Sequence, residues 1–550
     1  MPAITSLPTG TPVLENAAVR ITAIGLTTVH KDGTAALDDV SLTVAPGQVT
    51  AVIGPSGAGK TTLLTALAGT RPSQHGTVTF DDGHGDDGVA SVGYVPQEDI
   101  VPLELPLRRT LRYSAALRLP TGRTTASINT LVDDTMDALG LADHGDVPVG
   151  SLSGGQRKRA SLACELLTRP AVFFLDEPTS GLDPSAAAGL VDRLHQLAAG
   201  GSTVVFTTHS VSDVERSDQV VVLASGGRPA FVGPPAAMLT HFGVDAVSEV
   251  YDELLDLDGE IARQPRPVPT ASTGGLRSGV RRPEAASWVR QWAVLTRRSA
   301  ETTVCNRLTL AILLGSLAAV IAMFAVLFRP DAFDPSAVDA TAAVMVTYWL
   351  AFAGFFFGLT FGLLQVCVEV PILRREHRAG VRVGAYLLSK VALLFPFLLA
   401  VNVTMLVVLR LLDRLPPVSA GTYGSLLVTT SLNALAALCL GLLASALVTT
   451  TAQAALALPM LCFPAVLFAG AMIPVPLMAP AGQSIAAIMP DRWAFEAIAR
   501  HLDTSALSTP GSAQAALGQS ATTTYWALLI IFTVVLGASA QLAVRRRAAG

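Results

Sequence analysis

The sequence predicts two unlike parts, an N-terminal α/β domain and a C-terminal all-α membrane domain of six transmembrane helices. Three observations support this division. Hydrophobic residues make up 51% of the 550 residues and charged residues only 15%, which is too apolar for a single soluble domain. Residues 1–307 nevertheless hold 25 basic and 33 acidic residues, whereas residues 308–550 hold 13 and 9. A buried strand, a glycine-rich loop and a helical pattern follow one another from Gln48 to Ala68, as they do in α/β domains.

Changes in composition along the chain set the predicted domain boundaries. The expected parts are the α/β domain at 18–258, a flexible linker at 259–287, an amphipathic connecting helix at 288–306 and the membrane domain at 307–548. The linker is rich in proline, arginine, serine and glycine, a composition that cannot bury a core. The first part is mildly acidic, so nucleic acid is not an expected partner. The first thirty residues lack a basic start followed by a long apolar stretch, so we expect no cleaved secretory signal.

The connecting helix carries an apolar stripe. Trp288, Trp292 and Leu295 recur at helical spacing. Three arginines lie off that stripe, namely Arg290, Arg297 and Arg298. Such a pattern is typical of a helix that lies on the cytoplasmic membrane surface. A soluble helix docked on the preceding domain is the alternative.

The membrane domain is delimited by windows that contain no charge. A helix needs about 20 apolar residues to cross the hydrocarbon core. Six windows reach this length, and the predicted spans are 308–328, 340–366, 391–409, 426–447, 454–473 and 525–544. Basic residues are concentrated on one side, which predicts an integral protein of the plasma (inner) membrane with its α/β domain and both termini in the cytoplasm. The spans contain no charged residue, which argues against a proton- or ion-coupled pathway. Buried helices of a large globular core are the alternative.

The glycine-rich loop has the pattern Gly-x-x-x-x-Gly-Lys-Thr between a strand at 48–53 and a helix from Thr62. Its glycines let backbone N–H groups face phosphate oxygens, and the helix N-terminus adds a positive dipole. Lys60 would reach the β- and γ-phosphates of ATP, and the Thr61 hydroxyl would coordinate Mg²⁺. This predicts a P-loop NTPase domain with ATP and Mg²⁺ as cofactors. The predicted nucleotide-binding residues are Gly54, Pro55, Ser56, Gly57, Ala58, Gly59, Lys60, Thr61 and Thr62.

Two carboxylates end a later apolar strand at 171–175. Asp176 is positioned to hold Mg²⁺, and Glu177 to orient the attacking water as general base. Another strand, at 203–208, is followed by His209, which we expect to contact the γ-phosphate. An isolated Asp-Glu pair is more often a solvated turn, so this assignment depends on the strand that precedes it.

The pentapeptide Leu-Ser-Gly-Gly-Gln at 152–156 resembles the signature of the ABC superfamily of ATPases. The order of motifs agrees with this resemblance, with the phosphate loop first, Gln97 next, then the signature, Asp176-Glu177 and His209. The resemblance implies that Gln97 senses Mg²⁺ within the catalytic set and touches the membrane domain. It also implies that the signature binds the ATP of a partner chain through Ser153, Gly154, Gly155 and Gln156. With one phosphate loop and one signature, the chain would be a half-transporter that pairs with a second copy or a relative.

The order of domains resembles the G subfamily of ABC exporters and its bacterial relatives. Arg374-Arg375-Glu376-His377-Arg378 lies where that family places its coupling helix, and the 374–390 loop is expected to transmit ATP-driven closure to the spans. Family members usually stack adenine on an aromatic residue that precedes the phosphate loop. In this sequence His30 is found in that region, and no tyrosine is nearby. The resemblance implies an ATP-driven exporter of a hydrophobic or amphipathic substrate in the lipid bilayer. An ABC membrane ATPase with a mechanical or regulatory role and no transported substrate is the alternative.

Four phenylalanines of the second span form a further candidate feature. They are Phe352, Phe355, Phe356 and Phe357. They could line an apolar substrate cavity at the dimer axis. Packing between helices, or exposure to lipid, is the more frequent role of such residues.

Overall fold

The computed structural model describes residues 18–30, 32–81, 91–120, 122–261, 286–330, 333, 340–503 and 520–549. The chain forms two compact units: the first extends to Ala286 and also includes Arg378–Gly380, and the second comprises Ser287–His377 and the residues from Val381 onward. The predicted connecting helix therefore belongs to the second unit. Most of the predicted linker, residues 262–285, lies outside the described residues.

The first unit is built on two sheets. Its described strands are β1 (Arg20–Val29), β2 (Ala35–Val44), β3 (Val49–Ile53), β4 (His75–Asp81), β5 (Val92–Val95), β6 (Val172–Leu175), β7 (Thr203–Thr207), β8 (Gln219–Ala224) and β9 (Arg228–Gly233). One antiparallel sheet has the order β2-β1-β4, and the other has the order β5-β6-β7-β3-β8-β9 with β9 antiparallel at its edge. Strands β3, β6 and β7 are buried along their whole length, which explains their predominantly apolar sequences.

Helices cover the sheets of the first unit. They are α1 (Lys60–Leu67), α2 (Leu107–Arg118), α3 (Thr125–Ala138), α4 (Gly154–Leu166), α5 (Pro184–Ala199), α6 (Val211–Glu215), α7 (Pro235–Phe242) and α8 (Val247–Ile261). Helix α8 extends to Ile261, so the start of the predicted linker at 259 is wrong by three residues. Val247, Val250 and Leu254 bury an apolar stripe in the core, and the helix continues beyond that stripe.

The regular secondary structure of the second unit, within its described residues, consists of helices. Its helices are α9 (Trp288–Cys305), α10 (Arg307–Leu327), α11 (Ala340–Leu363), α12 (Val370–Arg378), α13 (Val383–Leu411), α14 (Ala420–Leu447), α15 (Thr451–Phe468), α16 (Pro480–Ala487), α17 (Pro490–His501) and α18 (Thr522–Ala549). Within the described ranges, five helices are long and apolar enough to span a membrane: α11, α13, α14, α15 and α18. The first predicted span overlaps α10, in which the apolar stretch Leu314–Leu327 falls short of that length.

Helices α11 and α14 pack closely through glycine. A Cβ atom added to Gly358 would lie 2.1 Å from the carbonyl oxygen of Ala434, and one added to Gly362 would lie 2.6 Å from that of Leu438. Conversely, a Cβ atom added to Gly441 of α14 would lie 2.5 Å from the carbonyl oxygen of Leu359 of α11. Small residues in this register let two backbones approach each other, which is how helices associate without a hydrophobic driving force.

The third predicted span, 391–409, begins too late. Helix α13 starts at Val383, about two turns earlier. Lys390, which ended the uncharged window, is buried and lies 2.6 Å from the carboxylate of Glu369. Because the ion pair neutralises this charge, the lysine does not mark the end of the helix. The predicted 374–390 loop is accordingly helical except at 379–382.

The connecting helix also differs from its predicted pattern. Its buried face consists of Gln291, Leu295, Arg298 and Ser299, whereas Trp288 is exposed. Arg298 lies off the predicted apolar stripe, yet it forms a buried ion pair with Glu376 of α12, with Nη2 and Oε2 3.1 Å apart. The sequence could not distinguish this arginine from its exposed neighbours, because its partner is 78 residues away.

The phenylalanines of α11 divide between two environments. Phe355 and Phe357 are buried within the unit, while Phe352 and Phe356 are half-buried with ring centroids 6.2 Å apart. The first pair therefore packs between helices of the same chain. A cavity-lining role stays a prediction for the second pair.

Candidate nucleotide site

The predicted nucleotide-site residues lie at one edge of the six-stranded sheet. The phosphate loop follows β3, Gln97 follows β5, Asp176 and Glu177 follow β6, and His209 follows β7. These four strands are parallel neighbours, so their carboxyl ends meet at the same edge. Ligands of open α/β sheets bind at this edge.

Glycine is required at two positions of the phosphate loop. Gly54 (φ +148°) and Gly59 (φ +90°) both have positive φ. A Cβ atom on Gly54 would lie 2.2 Å from the carbonyl oxygen of Leu223, and one on Gly59 would lie 2.0 Å from that of Ala36. At Gly57, by contrast, a Cβ atom would meet nothing within 4 Å, so the tip of the loop faces open space. Both ends of the loop thus pack closely against the backbone of the domain, and its tip is open where phosphate is expected to bind.

Lys60 opens helix α1 and is buried in the phosphate loop. Its ammonium donates to the carbonyl oxygens of Gly54 and Pro55, each at 2.9 Å. Burial lowers the pKa of Lys60, and the carboxylates of Glu177 and Asp176 oppose that shift. An ammonium has three hydrogens, so one remains for a phosphate oxygen.

Asp176 is buried beside two hydroxyl groups. Its Oδ1 accepts hydrogen bonds from Thr61 at 3.1 Å and from Thr207 at 2.7 Å. The Thr61 hydroxyl and the Asp176 carboxylate are hard oxygen ligands of the type that Mg²⁺ prefers. Among the described residues no group of three or more His, Cys, Asp or Glu side chains could hold a metal ion. The Thr61 hydroxyl and the Asp176 carboxylate fit Mg²⁺ held by few protein ligands together with phosphate.

Glu177 is fixed in both side chain and backbone. Its Oε2 accepts from the Gln97 amide at 2.9 Å, and its Oε1 lies 3.1 Å from Nε2 of His209. Its φ of +47° is in the left-handed region, which costs about 1–3 kcal/mol for a residue of this kind. The backbone N–H of Glu177 donates to the Thr207 hydroxyl at 2.8 Å, which helps to hold this conformation.

The remaining predicted loop residues lie in the loop or in the first turn of α1. They are Pro55, Ser56, Ala58 and Thr62. His30 follows β1 and is exposed, and its backbone N–H donates to the carbonyl oxygen of Thr34. Nucleotide contact by these residues stays a prediction.

Sequence analysis missed two residues that support the site. Thr207 holds Asp176 and Glu177, as described above. Asp213, which is buried, accepts hydrogen bonds from Thr179 at 2.6 Å and from Thr208 at 2.7 Å. Both threonines line the cleft beside Glu177. A polar residue at the end of an otherwise apolar buried strand was the available signal for Thr207.

The signature turn caps helix α4. The Ser153 hydroxyl accepts the N–H of Gln156 at 3.3 Å, and the Gln156 side chain accepts the N–H of Ser153 at 3.0 Å. The Gln156 amide nitrogen lies 2.8 Å from Nε2 of His144. Because an amide nitrogen only donates, this histidine nitrogen is the acceptor. Ser153 and Gly154 are exposed, and within the described residues the signature turn makes no hydrogen bond to the phosphate loop.

Lys158 connects the signature helix to the segment that contains Gln97. Its buried ammonium donates to the Gln97 carbonyl oxygen and lies 3.7 Å from the carboxylate of Asp99. Burial raises the pKa of Asp99, and Lys158 opposes that shift. No local pattern predicts this contact, because it joins residues 61 positions apart.

Comparison with known proteins identifies a family for each part of the chain. Residues 37–180 match the family described as ABC transporter, and residues 289–500 match the family described as ABC-2 type transporter. The first match includes the phosphate loop, Gln97, the signature and Asp176-Glu177. The second includes most of the described helices of the second unit.

Three relatives illustrate the similarity. The ABC transporter ATP-binding/permease protein Rv1747 of Mycobacterium tuberculosis is 32% identical over 491 residues, 85% of this chain and 56% of that protein. The ABC transporter G family member 21 of Arabidopsis thaliana is 41% identical over 216 residues, 37% of this chain and 32% of that protein. The broad substrate specificity ATP-binding cassette transporter ABCG2 of Bos taurus is 38% identical over 218 residues, 38% of this chain and 33% of that protein. The chain thus spans about half the length of the first relative and a third of the other two.

Proposed function

The chain belongs to the ABC transporter superfamily, with its ATPase domain ahead of an ABC-2 type membrane domain, and we propose that it is an ATP-driven exporter that works as a dimer. Its substrate would be hydrophobic or amphipathic, taken from the cytoplasm or the inner leaflet. One observation carries the proposal most directly. Glu177, the candidate base, is held between Gln97 and His209 and adjoins Asp176 in an ATPase domain that precedes apolar helices on the same chain.

Each residue of the site has a chemical role in this proposal. Lys60 and the backbone N–H groups of the phosphate loop would bind the β- and γ-phosphates, and Thr61 and Asp176 would hold Mg²⁺. When bound, Mg²⁺ neutralises charge on the phosphate oxygens. Glu177 would accept a proton from the attacking water, while Gln97 and His209 orient its carboxylate.

The proposed dimer follows from the exposed signature. Ser153 and Gly154 are exposed at the N-terminus of α4, where the helix dipole favours an anion. Among the residues that the structure describes, the signature turn does not bond the phosphate loop of its own chain, which supports binding to the ATP of a second copy or of a related half-transporter. Such a sandwich would close on ATP and open after hydrolysis. By resemblance, the segment 374–390 would carry that movement to the helices.

The membrane assignment follows from the apolar helices. We propose a plasma-membrane protein with six spans, in which α10 is the first, and with its ATPase domain and both termini in the cytoplasm. Exposed apolar residues on α15, among them Leu456, Met460 and Phe463, support contact with lipid or with a second copy.

Transport by proteoliposomes that contain this chain alone tests the function. The probes would be a panel of fluorescent amphiphiles. We expect ATP-dependent movement of at least one probe by wild type and none by Glu177→Gln. Glu215→Gln, which changes an exposed acid on α6, serves as the matched control and should transport normally. Hydrolysis by wild type without movement of any probe would favour the membrane ATPase without a transported substrate.

A further inference from the structure

Asp491 is a carboxyl group buried within the second unit. It lies in the first turn of α17, a helix of 12 residues that is too short to span a membrane, and it has no exposed surface. Helix α17 packs against α11, α14 and α18. Asp491 lies between the fifth and sixth predicted spans, 454–473 and 525–544, so its burial was not expected.

The hydrogen bonds around Asp491 leave two oxygen atoms without a partner. The Asn433 amide of α14 donates to Oδ1 of Asp491 at 3.1 Å and to the carbonyl oxygen of Ala351 at 3.0 Å. Oδ2 of Asp491 and Oδ1 of Asn433 are both buried and make no hydrogen bond. Both are acceptors as long as the carboxyl group is ionised, so neither can satisfy the other.

No cation offsets a charge on Asp491 in the part of the chain that the structure describes. The titratable groups that interact with it are Tyr348 on α11 and Cys462 on α15. Helix α14 presents Asn433, and Tyr525 of α18 interacts with Glu496 instead. On α17 itself, Arg492 pairs with Glu496 at 2.9 Å. A buried carboxylate without a countercharge is costly, so such groups take up a proton.

We propose that Asp491 is a proton-binding site of the membrane domain, protonated on Oδ2 in this conformation and donating that hydrogen to Oδ1 of Asn433. One proton would satisfy both unpaired oxygens and remove the buried charge. The carboxyl and amide groups would then form two antiparallel hydrogen bonds between α17 and α14. Burial raises the pKa of Asp491 to about 7, and the hydrogen bond from Asn433 opposes that shift.

Loss of this proton would weaken the contact between α14 and α17. Ionisation would break the second hydrogen bond and leave a negative charge among apolar side chains. The packing of α17 should therefore depend on pH near neutrality. The direction follows from the raised pKa: the contribution of Asp491 to stability is full below its ordinary value of 3.8 and is lost as the pH rises to about 7.

Infrared difference spectroscopy of the purified full chain tests the protonation state. The spectrum of Asp491→Asn is subtracted from that of wild type at about pH 6 and about pH 9. We expect a protonated-carboxyl C=O band at the lower pH that is lost at the higher pH. Asn433→Leu, which removes both proposed hydrogen bonds of the carboxyl group, should shift this C=O band to a higher wavenumber. Absence of the band at the lower pH, as for an ionised carboxylate solvated by internal water, would overturn the proposal.

Thermal unfolding provides a second readout that does not depend on transport. Asn at 491 has nearly the shape of the protonated acid, and its amide can donate to Oδ1 of Asn433 at any pH. We expect the melting temperature of wild type to fall relative to that of Asp491→Asn between about pH 4 and pH 7. Above that range the difference between the two melting temperatures should stay constant. A difference that is constant across this range would contradict a proton bound at Asp491.

Discussion

The hydroxyl oxygen of Thr207 lies 2.7 Å from Oδ1 of Asp176 and 2.8 Å from the backbone nitrogen of Glu177. It donates to the first and accepts from the second. One side chain at the end of β7 therefore fixes both carboxylate residues at the end of β6, including the backbone of Glu177 in its left-handed conformation.

Replacing this hydroxyl should impair hydrolysis more than folding. Thr207→Val keeps the branched shape but leaves the Glu177 N–H without its acceptor, at a cost of about 1–3 kcal/mol. We expect ATP hydrolysis to fall by about 10- to 100-fold, because an error in the position of the base acts on the transition state. Steady-state ATPase assays of purified protein measure this. Thr79→Val, on an exposed position of β4, should have the wild-type rate, and equal rates for the two variants would refute the role of Thr207.

The contact of Lys158 with the Gln97 carbonyl predicts a separation of binding from turnover. Lys158→Met removes the link between the signature helix and the segment that contains Gln97, and it removes the lysine that pairs with Asp99. We expect ATP to bind with wild-type affinity while hydrolysis falls by about tenfold. Fluorescent-nucleotide titration and ATPase assays check the two parts. The control is Arg216→Met, which removes a cation paired with Asp192 and should change neither quantity.

The buried ion pair of Arg298 and Glu376 predicts that the effects of the two substitutions in a double-mutant cycle are not additive. Removing one partner leaves a buried charge unpaired, which typically costs about 3–5 kcal/mol. Arg298→Met and Glu376→Met should therefore each lower the melting temperature in detergent, and the double variant should recover part of the loss. If the two losses simply add, the pair is not coupled as the structure indicates.

Gly358 predicts the effect of a single methyl group. Gly358→Ala places a Cβ atom 2.1 Å from the carbonyl oxygen of Ala434, so α11 and α14 must separate. Overpacking of this kind costs about 1–3 kcal/mol and should reduce the yield and melting temperature of folded protein. Gly424→Ala on α14 is the control, because a Cβ atom there would meet nothing within 4 Å. Tolerance of both changes would contradict the close contact.

The sequence predicted those features that depend on local spacing. The strand, loop and helix around Lys60, and the carboxylates after β6, are contiguous motifs whose geometry is encoded within a few residues. Residues that act through distant partners were missed. Thr207 and Lys158 acquire their roles only when β6, β7 and α4 come together, and Asp491 becomes buried only when α17 packs on α14. Uncharged windows located the apolar helices, yet they misplaced the start of α13, because Lys390 is neutralised by Glu369.

Complementation between two inactive chains tests the proposed shared site most directly. Lys60→Met damages the phosphate loop, and Ser153→Arg blocks the signature. Each variant alone should fail to hydrolyse ATP. Co-expressed with different tags and purified through both, the mixed dimer should retain one intact site and recover up to about half of the wild-type rate. No recovery in verified mixed dimers, or full activity of Ser153→Arg alone, would contradict a site completed by a second copy.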